Sequence, residues 1–381
     1  MPPEIEQYRG REQSYIKHLF LNKYLEAAAY KLLQSRRAAP VFNFVDAFAG
    51  PWRVSDDDKF SDASFSQAID TLEAVRRALA GMGHSGLRIR YRFCERDPDS
   101  AAKLRRFSTD KQEFDIQIFE GSFEHCIDDI SSACRDGFTF TFIDPTGWNI
   151  ESEKVFSFLK NLNGEFLFNF MAEEIDRHAG WDGVSESFGR FLAEPAWKRK
   201  FFELPIEWTN ERKTLHLLKA RMKELGIATY LPEMAILRPR KNRIKMRLIL
   251  GTHSVHGVDV FRRIQEKVEK EAVSVRHNIA VEDSREPFLF PSNQVAELQS
   301  ERDGVGCRQH RDQAERRLLK IVSDNPGIQF VSLAGAVMED VPVRTSHLNK
   351  IAMELRKVGQ LGFDLPTRKR TPAFTTLIWP V

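Results

Sequence analysis

Two apolar runs, each ending in an acidic residue and a tight turn, constrain the fold of this chain more than any other feature. The first is Val-Phe-Asn-Phe-Val-Asp-Ala-Phe-Ala-Gly-Pro over residues 41–51, and the second is Phe-Thr-Phe-Ile-Asp-Pro-Thr-Gly-Trp over residues 140–148. In an open parallel sheet, ligands bind at the carboxyl ends of the strands, where such turns gather. The two runs therefore predict one ligand site assembled from two strands of an α/β domain.

Short apolar segments alternate with amphipathic ones as far as residue 170. Patterns typical of strands cover residues 41–46, 87–94, 115–119, 138–143 and 165–170, and helical patterns lie between them. Such alternation predicts a parallel sheet covered by helices on both faces. Two further strand patterns, 227–237 and 245–252, have a short connection, which favours antiparallel neighbours. The expected fold class is α/β, with a doubly wound, mostly parallel seven-stranded Rossmann-like sheet on the class I methyltransferase plan.

Changes of pattern divide the chain into domains. Residues 171–226 are helical and rich in aromatic side chains, and we expect them to form an insertion within a methyltransferase-like domain over 1–275. Residues 276–310 are polar with little periodicity and are expected to form a linker. Residues 311–381 have the pattern of three helices and a two-stranded hairpin, which predicts a C-terminal winged-helix domain.

The composition argues against several classes of protein. No apolar run approaches the length of a membrane span, and the amino terminus lacks the pattern of a signal peptide, so we expect a cytoplasmic location. The four cysteines form no Cys-x-x-Cys pair and the histidines have no metal-ligand spacing, so we expect neither a disulfide framework nor a metal site. Basic residues outnumber acidic ones over residues 301–381, which favours an anionic partner.

The turn after the first strand predicts a cofactor site. Asp46 ends the strand, and the small residues Ala49 and Gly50 allow a ligand to approach the backbone closely. The phosphate-binding patterns Gly-x-Gly-x-x-Gly and Gly-x-x-x-x-Gly-Lys-Ser/Thr are both absent, so a ligand with a carboxylate and no phosphates, such as S-adenosylmethionine, fits better. Phe48 and Pro51 complete this candidate cofactor-binding set. The alternative is a strand-to-loop turn with a structural glycine.

Two further strand ends add to the candidate cofactor site. Glu95 ends the second strand, where an acid in nucleotide-binding folds accepts hydrogen bonds from the ribose hydroxyls. Asp97 competes with it for this role, and a helix cap or a surface carboxylate is the alternative. Gly121 and Ser122 follow the third strand, where a methyltransferase would recognise the edge of an adenine, and a simple turn is the alternative there.

The segment Asp144-Pro145-Thr146-Gly147-Trp148 resembles the Asp-Pro-Pro-aromatic motif of amino methyltransferases. In that motif the acid and a backbone carbonyl accept the two amino hydrogens of the acceptor, and the aromatic ring stacks on a flipped base. The resemblance implies that Asp144 and the Pro145 carbonyl orient an acceptor amine and that Trp148 stacks on it. Thr146 replaces the second proline of the motif, and the aromatic residue lies one position further along the chain than in the motif. The alternative is a turn with Trp148 in the core.

Two sets of basic residues predict a nucleic-acid interface. Alternation along the last strand pattern places the first set on one face of a hairpin, and the second set falls on the third helix and the loop of the predicted winged helix. A solvated hairpin and a protein-binding winged helix are the alternatives. The first set is Arg243, Lys245 and Arg247; the second is Arg344, Asn349, Lys350, Arg368, Lys369 and Arg370.

These motifs together resemble the three-Cys-motif partner family (TcmP) over roughly residues 12–275. The matching segments are Tyr-Ile-Lys-x-x-x-Leu-x-Lys-Tyr-Leu at 15–25, Asp-x-Phe-Ala-Gly-Pro at 46–51, Asp-Pro-x-Gly-Trp at 144–148, Phe-Asn-Phe at 168–170, and Leu-Ile-Leu-Gly-Thr-His at 248–253 with Gly257. The resemblance implies a methyltransferase-like fold in a bacterial protein, with a partner that bears a three-cysteine motif. Trp52 departs from the family's usual glycine, and Ala63-Ser64-Phe65 departs from its usual Gly-Ser-Pro.

Three functions fit these features. The first is an S-adenosylmethionine-dependent methyltransferase that acts on nucleic acid, with a base amino group as a candidate acceptor. The second is a non-catalytic nucleic-acid-binding platform that works with the three-cysteine partner protein. The third is a defence-associated nuclease that uses Asp46, Glu95 and Asp144 with a metal in the same cleft, although their spacing does not support a metal cluster.

Overall fold

The computed structural model describes residues 4–34, 41–50, 54, 60–84, 86, 88–178, 183, 185–284, 290–365 and 370–381. The chain divides into two compact units, each made of two segments. Unit 1 comprises Met1–Thr229 and Met234–Gly251, and unit 2 comprises Tyr230–Glu233 and Thr252–Val381. The division therefore falls at Gly251, whereas the sequence pattern placed the end of the first domain at residue 275.

Unit 1 is built on a mostly parallel sheet. Its strands are β1 (Val41–Asp46), β2 (Arg88–Glu95), β3 (Asp115–Glu120), β4 (Phe138–Ile143), β5 (Gly164–Phe170), β6 (Glu233–Leu237) and β7 (Ile244–Gly251). Within the described residues the sheet has seven strands in the order β3-β2-β1-β4-β5-β7-β6. Neighbours from β3 to β5 pair in parallel, and β7 runs antiparallel to β5. The predicted doubly wound, Rossmann-like fold class is confirmed.

The central strand β1 shows why the sheet forms where the sequence predicts it. Every residue of β1 is buried, as expected for a parallel strand covered on both faces. Its one amide side chain is accommodated by hydrogen bonds, because Asn43 Nδ2 donates to the Asp136 carbonyl at 2.8 Å and to Thr139 Oγ1 at 3.2 Å. These bonds join β1 to the start of β4.

Helices flank the sheet and alternate with its strands. They are α1 (Glu12–Gln34), α2 (Ser64–Gly81), α3 (Pro98–Thr109), α4 (Phe123–Ala133) and α5 (Ser152–Lys160). The start of α3 separates two competing acids: Asp97 Oδ2 accepts a hydrogen bond from Ser100 N at 2.8 Å, and Pro98 takes the first helical position. Asp97 is therefore the helix cap, which leaves Glu95 as the acid at the end of β2.

The segment expected to form a helical insertion contains four helices in its described part. They are α6 (Ala172–His178), α7 (Ser185–Leu192), α8 (Trp197–Glu203) and α9 (Asn210–Glu224). Aromatic side chains form their common core, with Phe188, Phe191 and Trp197 all at most 5% exposed. Trp197 Nε1 also donates to the Ser185 carbonyl at 3.1 Å, so its buried indole N–H is satisfied.

Unit 2 is mostly helical. Its elements are α10 (Val255–Asp283), α11 (Ser292–Asp303), α12 (Arg308–Asp324), α13 (Phe330–Asp340), α14 (Thr345–Lys357), β8 (Ile328–Gln329), β9 (Leu361–Gly362) and β10 (Leu377–Pro380). The three strands form a small sheet in the order β8-β10-β9. Helices α12, α13 and α14 share one apolar core with these strands. The winged-helix assignment of residues 311–381 stays a prediction.

Residues 276–310, expected to form a linker, hold the end of α10, all of α11 and the first residues of α12 in their described part. Helix α10 buries Val275 and Ile279 at helical spacing, but α11 buries only Ala296 among its residues. A helix with so narrow an apolar contact leaves almost no periodic signal in its sequence. This explains why the segment looked irregular.

A buried arginine caps the carboxyl end of α13 in unit 2. The Arg262 guanidinium donates to the carbonyls of Met338 at 2.8 Å and Glu339 at 2.7 Å, in the last turn of that helix. It also donates to the Glu233 carbonyl at 3.0 Å. Because the last carbonyls of a helix have no partner within it, this side chain satisfies groups that would otherwise be buried and unpaired. Burial lowers the pKa of Arg262 to about 10.

Candidate functional site

A cavity of about 470 Å³ lies at the carboxyl ends of β1, β4 and β5 in unit 1. Its walls come from the start of α1, the turn after β1, residues 62–64, the turn after β4, and residues next to the end of β5 and the start of β7. The strand order reverses between β1 and β4, and in open α/β sheets ligands bind in the crevice at such a point. The volume is in the range typical of ligand pockets.

Asp46, the last residue of β1, is completely buried behind this cavity. Its Oδ2 accepts a hydrogen bond from Ser64 Oγ at 2.6 Å, and its Oδ1 accepts one from Phe48 N at 3.3 Å. Burial raises the pKa of Asp46 to about 7, although the Ser64 hydrogen bond opposes this shift, and the charge of Asp144 adds to it. Asp46 thus fixes the turn that follows β1 and joins it to the start of α2.

The turn after β1 provides three of the predicted cofactor-binding residues to the cavity wall: Phe48, Ala49 and Gly50. Gly50 has a φ of 71°, a backbone conformation that favours glycine. Pro51, the fourth predicted residue of this turn, and Trp52 lie outside the described residues.

Glu95 joins the turn after β1 to the end of β2. Its Oε2 accepts a hydrogen bond from Gly50 N at 2.9 Å, and its Oε1 accepts one from Asp97 N at 2.7 Å. The Glu95 carbonyl accepts a third bond from Gly121 N at 3.0 Å. The structure therefore brings the predicted cofactor residues of the first three strands together. However, Glu95, Gly121 and Ser122 are not among the described residues that line the cavity.

Asp144, after β4, lines the cavity together with Pro145. Two side chains that the sequence analysis did not single out hold its carboxylate: Lys17 of α1 donates to Oδ2, and Asn169 Nδ2 donates to Oδ1 at 2.6 Å. Lys17 and Asn169 both line the cavity as well. The Asp144 side chain is 20% exposed and that of Lys17 is 10% exposed, so the pair is largely shielded from solvent.

Trp148 packs against the helical insertion. Its ring centroid lies 5.2 Å from that of Phe188 and 5.0 Å from that of His178. Its Nε1 donates to Ser187 Oγ at 3.1 Å. Trp148 does not occur among the described residues that line the cavity. This arrangement favours the packing role that the sequence left open over a stacking role on an acceptor base.

The basic residues of the hairpin between β6 and β7 are paired with acids of the insertion. Lys245 Nζ lies 3.0 Å from Glu173 and 3.2 Å from Glu174, and Arg243 lies 3.5 Å from Asp176. Burial opposes the ionisation of Glu173, but hydrogen bonds from Arg238 and Lys245 outweigh it and lower the pKa of Glu173 to about 2. These ion pairs reduce the positive charge that this face offers to an anion.

Arg247, the third predicted residue of the hairpin, is also paired, because its Nε donates to Glu211 in α9. Of the second predicted set, in unit 2, Arg344 lies 3.4 Å from Glu266 and Asn349 is half-buried. Lys350 and Arg370 are exposed. Arg368 and Lys369 lie outside the described residues.

Several other chemical features bear on the site. In the described part of the chain, no group of three or more His, Cys, Asp or Glu side chains is placed to hold a metal ion. The four cysteines are free thiols. No helix of the described segments combines the length and apolar character needed to cross a membrane.

Comparison with known proteins gives structural neighbours only. No protein-family model and no curated protein matches the sequence. A Staphylococcus aureus protein provisionally assigned as a caffeoyl-CoA O-methyltransferase is 11% identical, with 60% of this chain and 82% of that chain covered and a TM-score of 0.29. Loganic acid methyltransferase with SAH is 9% identical, with 79% and 91% covered and a TM-score of 0.30. Cofactor-bound Rv0187 from MTB is 9% identical, with 61% and 79% covered and a TM-score of 0.29. These values are too low to decide a function, which has to be argued from the site itself.

Proposed function

We propose that the chain is an S-adenosylmethionine-dependent methyltransferase that acts on a nucleic acid, with a base amino group as the acceptor. The observation that carries this proposal is the cavity at the reversal of strand order, where the turn 48–50 after β1 faces the turn 144–146 after β4. The first turn belongs to the predicted cofactor side and the second to the predicted acceptor side. One cavity thus has residues from both predicted sides in its wall, namely Phe48, Ala49 and Gly50 from the first and Asp144 and Pro145 from the second.

The residues on the cofactor side fit a ligand of this class. Each Glu95 oxygen accepts one backbone hydrogen bond, and Glu95 is 3% exposed and not among the described residues that line the cavity, so its part on the cofactor side is to fix the turn at Gly50. Gly50 has no side chain to obstruct a close approach to the backbone. Arg11 and Lys17 provide positive charge at the cavity for a carboxylate, although both also pair with acids.

When bound, S-adenosylmethionine supplies a methyl group on a positively charged sulfur, which needs no further activation. The main task of the protein is then to position the acceptor. Lys17 and Asn169 hold the Asp144 carboxylate in one orientation at the cavity. A fixed carboxylate accepts hydrogen bonds from an acceptor amine, and the neighbouring Pro145 carbonyl is the predicted second acceptor of such bonds.

The choice of nucleic acid as substrate is supported by exposed basic residues in unit 2. Helix α14 exposes Lys350, Arg356 and Lys357, and Arg370 is exposed beyond the segment 366–369. Lysine and arginine side chains in such positions bind phosphates independently of sequence. In a winged helix of the predicted kind, the third helix is the one that enters a groove.

Isothermal titration calorimetry with S-adenosylmethionine tests the cofactor half of this proposal. We expect saturable binding to the full chain, and weaker binding in Asp46→Asn and Glu95→Gln, because both residues shape the turn at Gly50. Asp115→Asn is the matched control: Asp115 is the first residue of β3, at the end of the strands away from the cavity, and its carboxylate pairs with Arg92 and Arg90. Absence of binding to the wild-type chain would refute the proposal.

The substrate half is tested by fluorescence anisotropy with a short labelled duplex at several salt concentrations. Lys350→Ala is expected to weaken binding and to reduce the slope of log affinity against log salt by about one. Lys320→Ala serves as the control, since Lys320 lies in α12 and pairs with Asp324 at 3.2 Å. An equal effect of both substitutions would count against a role for α14.

One observation favours a second candidate, a non-catalytic platform that binds nucleic acid together with a three-cysteine partner protein. Both oxygens of Asp144 already accept hydrogen bonds from protein groups, which lowers their capacity for an acceptor amine. This candidate predicts duplex binding that does not change when S-adenosylmethionine is added, and no incorporation of a labelled methyl group into the duplex.

A further inference from the structure

The amide of Asn169 is the feature of the cavity that the proposed function leaves unexplained. Asn169 is the penultimate residue of β5, is 1% exposed, and lines the cavity. Its Nδ2 donates to Asp144 Oδ1 at 2.6 Å and lies 3.5 Å from Met171 Sδ. Both neighbours are hydrogen-bond acceptors, so the nitrogen must point towards them. The orientation of the amide is therefore fixed by its partners.

The other end of this amide has no such partner. No described residue donates a hydrogen bond to Asn169 Oδ1, although the atom is buried. A buried acceptor without a donor destabilises a folded protein, and in native structures such atoms are uncommon and call for an explanation. An acceptor that is unpaired within the protein and belongs to a cavity-lining residue is suited to a donor on a ligand.

The topology places this acceptor on the substrate side of the cavity. The predicted cofactor residues end β1, β2 and β3, whereas Asn169 lies at the end of β5, beyond β4. Asp144 lies between the two groups and is bonded to Asn169. A group that reaches Asn169 therefore lies beside Asp144 and away from Glu95.

We propose that Asn169 Oδ1 recognises an N–H donor on the methyl acceptor, so that the cavity selects acceptors that present an amino group. This inference rests on the proposed function. Asn169 Oδ1 and the Asp144 carboxylate are both acceptors, so an N–H group is stabilised between them. A carbonyl or phosphate oxygen in the same place would face lone pairs and be rejected.

Asparagine suits this role because its amide combines two functions. Its nitrogen donates to Asp144, and its oxygen remains available to a ligand. An aspartate at this position would place a second carboxylate against Asp144, and a leucine would remove both functions at similar volume. Asn169→Leu is therefore the informative substitution.

The test compares two ligands by isothermal titration calorimetry on the full chain. S-adenosylhomocysteine has no group in place of the transferred methyl, whereas its analogue sinefungin carries an amine there. We expect wild-type protein to bind sinefungin about tenfold more tightly than S-adenosylhomocysteine, as for one hydrogen bond from a charged donor. In Asn169→Leu this ratio is expected to fall to about threefold or less, with the affinity for S-adenosylhomocysteine unchanged.

Asn43→Leu is the matched control. Asn43 is also buried, its Oδ1 also lacks a donor among the described residues, and it lies in β1 outside the set of residues assigned to the cavity. Its substitution is expected to leave the ratio as in the wild type. Circular dichroism verifies folding, and Asn169→Ala provides the same comparison if the leucine variant does not fold.

The outcomes separate the two proposals. If S-adenosylhomocysteine and sinefungin both fail to bind the wild-type chain, the proposed function is wrong and this inference falls with it. If both bind and their affinity ratio is the same in wild type, Asn169→Leu and Asn169→Ala, the cofactor site stands and the role of Asn169 is refuted.

Discussion

Lys17, in the second turn of the first long helix, forms an ion pair with Asp144, which lies 127 positions further along the chain. The pair connects α1 to the turn after β4 across the wall of the cavity. The helix at the start of the chain is thus part of the candidate site.

The first prediction concerns this pair. Lys17→Met removes the charged donor of a largely shielded carboxylate, so the free energy of unfolding is expected to fall by about 1.5–3 kcal/mol. Urea denaturation measures this loss. The exposed pair of Lys320 and Asp324 is the control, and Lys320→Met is expected to change stability by less than about 0.5 kcal/mol. Equal losses in the two variants would show that the first pair is no more important than a surface contact.

The second prediction concerns pH. Burial raises the pKa of Asp46 from 3.8 to about 7, so the folded protein keeps a proton that the unfolded chain releases. The contribution of this group to stability is therefore present at low pH and is lost as the pH rises towards 7, at about 1.4 kcal/mol per pH unit.

Asp46→Asn removes this titration. Urea denaturation at pH 5 and pH 7 is expected to show a larger fall in stability for the wild type than for Asp46→Asn over that interval. Other groups titrate equally in both proteins and cancel in the comparison. The same fall in both proteins would mean that Asp46 is ionised in the fold at pH 5.

The third prediction concerns Trp148. Because it packs against Phe188 and His178, Trp148→Ala is expected to lower the free energy of unfolding by about 2 kcal/mol, less than for a fully buried tryptophan. Trp148→Phe keeps the ring contacts and loses only the bond to Ser187, which costs about 1 kcal/mol. Calorimetry is expected to show unchanged affinity for S-adenosylhomocysteine in both variants. Loss of methyl transfer in Trp148→Ala, with transfer retained in Trp148→Phe, would instead support stacking on an acceptor.

The fourth prediction compares two glycines. A Cβ at Gly164 would lie 1.8 Å from the Thr139 carbonyl oxygen, so Gly164→Ala must displace the backbone between β4 and β5. A Cβ at Gly147 would meet no atom of the described chain within 4 Å. We expect Gly164→Ala to lower the free energy of unfolding by more than about 2 kcal/mol and Gly147→Ala by less than about 0.5 kcal/mol. Thermal unfolding of both variants checks this, and a stable Gly164→Ala would refute the tight contact.

The sheet could be predicted from the sequence because its central strands are short segments rich in apolar residues, as Val41–Asp46 of β1 and Phe138–Ile143 of β4 illustrate. The strand expected at 227–237 is shorter in the structure, where β6 covers Glu233–Leu237. Ile227 and Ala228 are buried without belonging to a described strand. An apolar run in the sequence indicates that its side chains are buried, but it does not indicate whether its backbone pairs with a neighbouring strand.

The candidate site was predictable only in part. Asp144 and the turn after β1 directly follow apolar strand patterns, so their positions in the sequence mark them as candidate ligand-binding residues. Lys17 stood in the segment 15–25 of the family resemblance, but its partner is distant in the sequence, so no local signal indicated the ion pair. Asn169 appeared only within the segment 168–170 of the family resemblance, and its role depends on which atoms of its amide are already bonded. The one available signal was a polar residue in an otherwise apolar strand end.

The four residues Tyr230–Glu233 belong to unit 2 although both of their neighbours in sequence belong to unit 1. Leu231 N donates to Glu339 Oε1 at 2.8 Å, and Tyr230 exchanges backbone hydrogen bonds with Thr252. A chain truncated after Gly251 would therefore retain residues 230–233 but lack the residues that form hydrogen bonds with them. Neither unit can therefore be expressed alone by cutting the chain at a single position. A separate version of either unit requires a redesigned connection around residues 230–233.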